Sequence, residues 1–143
     1  MKISEFHKEY TDGSNYSFFD VAGEIKELLQ EAFKFNKKSM LDEFSDVSVN
    51  FQLWLYTSFR LEQNLWKISF PTYKKLHKRK QIWNKIYKYA GLRENCINYF
   101  GNYERKEKVI TQLRKLNVSK KKSKKAYEKI VLPILSHQKY STN

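Results

Sequence analysis

The sequence predicts an all-α protein, a bundle of about four to five helices. Three observations carry that expectation. Gly (4) and Pro (2) are scarce in 143 residues, whereas sandwiches and barrels need many turns. Apolar side chains recur at helical spacing along most of the chain. Hydrophobic residues make up 41% and aromatics 16%, enough for a packed core despite 30% charged residues.

Thr11-Asp12-Gly13-Ser14-Asn15 is a turn cluster that closes a short N-terminal segment. The first helix is expected from about Ser17 to Phe35, with the stripe Val21, Ile25, Leu28, Ala32 and Phe35. Asn36-Lys37-Lys38-Ser39 breaks it, and Ser39 is placed to cap the next helix, with Asp42 three residues on. That second helix, from about Met40 to Leu61 or as far as Trp66, has the stripe Met40, Phe44, Val47, Phe51 and Trp54. Pro71 suits the first turn of a third helix, Thr72 to Tyr89, which carries Leu76, Ile82, Trp83, Ile86 and Tyr87 and ends at Ala90-Gly91. A fourth helical region is expected over Arg93 to Leu116, broken near Gly101. After the loop Asn117-Val118-Ser119 comes a basic helix, Lys120 to about Leu135, with Pro133 near its end. In domain terms this is one all-α domain over 1–135, its basic helix within 119–135, followed by a frayed tail over 136–143.

A single cysteine, Cys96, rules out an internal disulfide framework and suits a reducing compartment. Met1–Tyr10 has no apolar core with a small-residue cleavage site, and no apolar run approaches a membrane span. The expectation is a soluble, cytoplasmic protein with no membrane partner. His7, His77 and His137 lie far apart in sequence with no Cys partners, so zinc is not expected. No Gly-rich phosphate loop and no nucleophile elbow is present. Any phosphate handling must therefore come from side chains and metal.

Charge is unevenly spread. Met1–Glu62 holds 7 basic and 11 acidic residues, a net −4. Gln63–Asn143 holds 21 basic and 4 acidic, a net +17. Such a half is either solvated surface or a draw for polyanions. The runs Lys74–Lys80 and Lys120–Lys125 read first as solvated faces. Their alternative is nucleic-acid binding through the phosphate backbone. Tyr73, Trp83, Tyr87, Tyr89, Tyr99 and Tyr103 interleave with these charges as stacking platforms would. At helical spacing the same residues suit a core or a dimer interface.

The acids carry more information. Glu24 and Glu27 stand three apart on the first expected helix, as do Glu43 and Asp46 on the second. Carboxylates so spaced share a face and can share a cation. Glu31 and Asn50 extend each pair by one turn. At 100° per residue each triplet lies roughly 110° from the centre of its own apolar stripe. Two such helices packed antiparallel bring four carboxylates together. Clustered carboxylates repel unless a cation neutralises them, and hard oxygen donors suit Mg²⁺. Paired acids at this spacing are also common on solvated helices, so spacing alone leaves both readings open.

Ala22-Gly23-Glu24-Ile25-Lys26-Glu27-Leu28 followed by Leu41-Asp42-Glu43-Phe44-Ser45-Asp46-Val47 resembles the E-x-x-E…E-x-x-D signature of the MazG-like all-α nucleotide pyrophosphohydrolases. The resemblance covers about Phe18–Tyr56. It implies a helical bundle assembled as a homodimer or homotetramer, and hydrolysis of a nucleoside triphosphate to monophosphate and pyrophosphate with Mg²⁺, or Mn²⁺ in its place. Glu24, Glu27, Glu43 and Asp46 would be the metal ligands or the carboxylates that activate water, with Glu27 the choice for general base. Asn50 extends that face. Asn102, Arg105 and Lys106 are the nearest match to the family's later basic element, with Lys74 and Lys78 as competitors. Trp54 or Phe18 would stack on the base. The basic C-terminal half lies outside the family pattern. It keeps a non-enzymatic nucleic-acid-binding protein, or a degenerate family member acting through oligomer contacts, as alternatives.

Overall fold

The computed structural model describes residues 1–34, 37–93 and 99–141. Among these the fold is all-α without strands, and it has slightly more helices than expected. The elements are α1 (Ile3–Tyr10), α2 (Phe18–Phe33), α3 (Lys37–Phe59), a 3₁₀ turn (Lys67–Ser69), α4 (Phe70–Tyr89), α5 (Lys106–Lys115), α6 (Lys120–Ala126) and α7 (Leu132–Ser141). A π turn, Tyr127–Val131, joins α6 to α7. No helix among the described residues is long and apolar enough to cross a membrane. The chain divides inside α4 into two compact units, Met1–Lys75 and Leu76–Asn143.

In the first unit, α1 buries Ile3, Phe6 and Tyr10 along one face and packs on α3. Ile3 N donates to Gln63 O at 2.8 Å and Leu65 N to Met1 O at 2.7 Å. These bonds hold the first residues against the segment after α3. The short N-terminal segment ahead of the turn forms α1, whose eight residues are too few for a clear stripe in the sequence. Next, Asp12 Oδ1 accepts from Ser14 N at 3.0 Å, and Gly13 adopts φ 81, as the expected turn requires.

Ser17 caps α2 reciprocally with Asp20: Ser17 N donates to Asp20 Oδ2 at 2.7 Å, and Asp20 N to Ser17 Oγ at 3.4 Å. Tyr16 N donates to Thr57 Oγ1 at 3.0 Å, which ties the entry of α2 to the last turns of α3. The short link between α2 and α3 makes them an antiparallel hairpin.

The buried faces of this hairpin differ from the expected stripes. Of the α2 stripe only Val21 is buried; Ile25 is exposed, Leu28 and Ala32 are half-buried, and Phe35 lies outside the described residues. α3 begins at Lys37, so Ser39 sits inside the helix and does not cap it. α3 buries Ser45, Ser48, Val49, Gln52 and Leu53, and Phe44 is exposed. Polar side chains occupy this seam because each finds a partner. Ser48 Oγ bonds Ser69 Oγ at 2.6 Å. Ser45 Oγ accepts from Thr72 N at 2.9 Å and is hydrogen-bonded to Thr72 Oγ1 at 2.8 Å. Gln52 Nε2 donates to Asn64 O at 3.0 Å and Gln63 Oε1 at 3.2 Å, while its Oε1 accepts from Trp66 N at 3.2 Å and Ser69 Oγ at 3.1 Å.

The second unit packs conventionally. From α4 it buries Ile82, Trp83, Ile86 and Tyr87, as expected, and adds Val109, Leu113, Ala126 and Val131 from the later helices. Pro71 falls in the first turn of α4. Gly91 ends that helix at φ 77, with Leu92 N donating to Tyr87 O at 2.9 Å and Gly91 N to Lys88 O at 3.1 Å.

The helical region expected over Arg93–Leu116 is shorter among the described residues, and the break expected near Gly101 is present. Residues 99–105 are non-helical, α5 covers only Lys106–Lys115, and Cys96 lies outside the described residues. Buried aromatic donors hold this stretch: Trp83 Nε1 donates to Gly101 O at 2.6 Å, Tyr87 Oη to Tyr99 O at 3.1 Å and Tyr127 Oη to Glu104 O at 2.9 Å. Ser119 caps α6 through Lys122 N at 3.2 Å. The π turn ends just before Pro133, where Leu132 N reaches Tyr127 O. Proline has no N–H and crowds the carbonyl four residues back, so the helix widens there. The helix continues to Ser141, past the Ser136 expected to begin a frayed tail.

Candidate functional site

The acids meet on the α2–α3 hairpin. Glu24 and Asp46 are equidistant from residue 35, in the middle of the connection, and so are Glu27 and Glu43. An antiparallel hairpin with this register sets the two pairs opposite each other. One carboxylate oxygen each from Glu24, Glu27 and Glu43 lies within 4.8 Å of the other two. Glu24 and Glu43 are half-buried and Glu27 is exposed.

The fourth acid, Asp46, is held differently. Lys75 Nζ donates to Asp46 Oδ1 at 3.1 Å and Oδ2 at 3.2 Å, and Thr72 Oγ1 donates to Oδ1. Asn50 Nδ2 donates to the Asp46 backbone carbonyl at 2.9 Å, which fixes Asn50 one turn along the same edge. Lys75 and Thr72, three apart in the first turns of α4, are site residues that the sequence reading passed over. Lys75 lay inside a charge run read as solvated surface, and no periodicity marks it out.

The electrostatics of the triad are unfavourable as they stand. Burial, then the charges of Glu27, Asp46 and Glu43, push the Glu24 carboxyl up to about 7. Burial, then Asp46 and Glu27, raise Glu43 too, with Lys75 pulling the other way. Glu24 Oε2 and Glu43 Oε2 are buried without a hydrogen-bond partner, which carries a desolvation penalty. An all-oxygen donor set with two orphaned oxygens fits a hard divalent cation.

Aromatic side chains lie further along the same hairpin. Trp54 is two turns beyond Asp46 on α3, a rise of about 12 Å. Its ring meets Phe18 edge-on at 5.6 Å and Phe59 at 5.5 Å. Phe18 stays exposed.

The other residues singled out from sequence have local roles. Lys74 is exposed in the first unit and Lys78 in the second. Asn102, Arg105 and Lys106 belong to the second unit. Asn102 Oδ1 accepts from Glu104 N at 2.8 Å, Arg105 is the N-cap residue of α5, and Lys106 Nζ lies 3.9 Å from Glu128 Oε1.

One face of the hairpin is apolar and open. Leu28, Leu29, Ala32, Met40, Leu41 and Phe44, with Lys37, line a cleft of about 520 Å³. Ile25, Leu29, Phe33, Leu41 and Phe44 are exposed. No family model, characterised protein or solved structure matches the chain.

Proposed function

We propose that the chain is a Mg²⁺-dependent nucleoside triphosphate pyrophosphohydrolase of MazG-like type, with its metal held by Glu24, Glu27 and Glu43. The observation that carries this reading is the convergence of three carboxylates within 4.8 Å, two of them with buried oxygens lacking any partner. The resemblance of the two acid motifs supports it independently of the geometry.

The chemistry that bound Mg²⁺, or Mn²⁺, supplies is charge neutralisation on the phosphates and a lowered pKa for water. The chain's own groups do the rest. Glu27, the most open of the three, takes the proton of the attacking water at its carboxylate. Lys75 Nζ donates to both oxygens of Asp46 and adds positive charge beside the cluster. Asn50, whose Nδ2 donates to the Asp46 carbonyl, offers its amide oxygen to a ribose hydroxyl. The order Glu43, Asp46, Asn50, Trp54 along α3 suits a nucleotide with phosphates at the acids and base at the Trp54–Phe18 pair. Water adds across the anhydride between the α- and β-phosphates, giving monophosphate and pyrophosphate.

The open apolar face suits a second copy of this chain, so the proposed enzyme is a homodimer or homotetramer. Large exposed apolar patches mark such surfaces, and a closed site would need walls of this kind. The proposed location is cytoplasmic.

Pyrophosphate release from a panel of nucleoside triphosphates tests the activity. Release should require Mg²⁺ or Mn²⁺ and fall at least about a hundredfold in E27Q and E43Q. Absence of release from every nucleotide with either metal would overturn the reading.

A further inference from the structure

We propose that the cleft between the end of α4 and α6 binds single-stranded nucleic acid, with Tyr89 as a stacking platform and Lys121, Lys122 and Lys125 as phosphate contacts. The cleft, about 370 Å³, is lined by these four residues and Ser119. It lies wholly in the second unit, where Leu76–Asn143 holds 18 basic and 4 acidic residues, a net +14. This inference does not rest on the hydrolase reading.

The arrangement follows from local structure. Lys121 and Lys125 are four apart and Lys122 and Lys125 three apart, so α6 presents all three on one face. No carboxylate lines the cleft, and no ion pair to these lysines is present among the described residues. Three neighbouring ammonium groups without a counter-charge favour a polyanion. Lys122 Nζ lies 3.4 Å from where a Cβ on Gly91 would stand, so its chain crosses the bare backbone at the end of α4. Gly91 at φ 77 both ends the helix and keeps that crossing open. Ser119 Oγ accepts from Lys122 N and keeps its own proton to donate.

Tyr89 decides the class of polyanion. It is the last residue of α4 and remains 39% exposed beside the lysines, whereas Tyr87 on the same helix is buried. Lysines alone would serve a duplex backbone or any polyphosphate. An open aromatic ring among them suits unpaired bases, which stack on it whatever their identity. The lining holds no aliphatic side chain for membrane insertion.

Fluorescence anisotropy of the full chain with labelled oligo-dT and oligo-U, each about 12 nucleotides long, tests the proposal. Binding of either strand supports it, and the two arms tell DNA from RNA. K121Q/K122Q/K125Q should weaken binding and flatten the slope of log affinity against log salt by about 2, since each neutralised phosphate contributes about 0.7 for single strands. Y89A should weaken binding by about tenfold with the salt slope unchanged, and Y89W should restore it. K124Q and E43Q should bind as the parent does. Equal affinity for a duplex of the same length, equal competition by inorganic polyphosphate, or an unchanged affinity in a folded Y89A would overturn it.

Discussion

The two units differ in how much polar surface they bury between helices. The second covers Trp83, Ile86, Val109, Leu113 and Val131 completely and leaves Lys121, Lys122 and Lys125 exposed. The first buries Ser45, Ser48 and Gln52 along α3 and leaves Ile25, Leu29, Phe33, Leu41 and Phe44 exposed on its hairpin. In the second unit the apolar pattern is consumed by the unit's own core. In the first, a hydrogen-bonded seam fixes the hairpin to Trp66, Ser69 and Thr72, so the apolar side chains and the acids remain available to partners. The difference teaches that a helical stripe marks a surface to be covered without saying what covers it.

The largest test of this contrast is Trp83→Ala. It removes a fully buried ring and its bond to Gly101 O, and should cost about 3–5 kcal/mol in urea unfolding. A loss below about 1 kcal/mol would mean that the second unit lacks the core described. Next is Gln52→Leu. If the first unit were held by apolar burial, Leu at this buried position would be neutral or stabilising. The seam instead predicts a loss of about 2–3 kcal/mol, because Trp66 N and Asn64 O lose their partner.

Smaller effects come from the acids. Glu24 titrates near 7 in the folded chain against an ordinary value of 4.5. The folded state therefore holds its proton more tightly than the unfolded state between those values. Stability from this group is highest below 4.5, declines as pH rises through the window from 4.5 to about 7, and changes no further above it. Glu43 is raised in the same direction. Without divalent cation, Tm should fall across that window, and E24Q should flatten the fall and melt higher than the parent at alkaline pH. A metal-free Tm that rises across the same window would contradict the repulsion described. The smallest effect on folding belongs to the open face. Leu41→Glu should leave the far-UV spectrum intact and shift light scattering from an oligomer to a monomer. A parent that is already monomeric at micromolar concentration would break the comparison on that side.

Much of this was legible in the sequence. Pro71 at the start of α4, its apolar face and its Gly91 end were readable because a local rule and a tertiary outcome agree there. The α3 face was not, because Ser45, Ser48 and Gln52 look like surface until Ser69, Thr72 and Asn64 supply their partners. Gly101 marked a break in the fourth helical region but not its extent over residues 99–105, where hydrogen bonds from Trp83, Tyr87 and Tyr127 hold the backbone; such long-range donors leave no local signal. In the site, i, i+3 spacing on consecutive helices brought out Glu24, Glu27 and Glu43. The capture of Asp46 by Lys75 and Thr72 depends on how α4 begins against α3, which no spacing encodes.

Calorimetric titration of Mg²⁺ into the full chain at about pH 8, above the Glu24 titration, tests the central claim most directly. Saturable binding is expected, with or without a non-hydrolysable nucleotide, and is lost in Glu43→Ala. Proton release on binding should grow as the pH is lowered toward about 6, because Glu24 must give up its proton to bind the cation. Absence of divalent binding in the parent chain, even with nucleotide present, would contradict that claim.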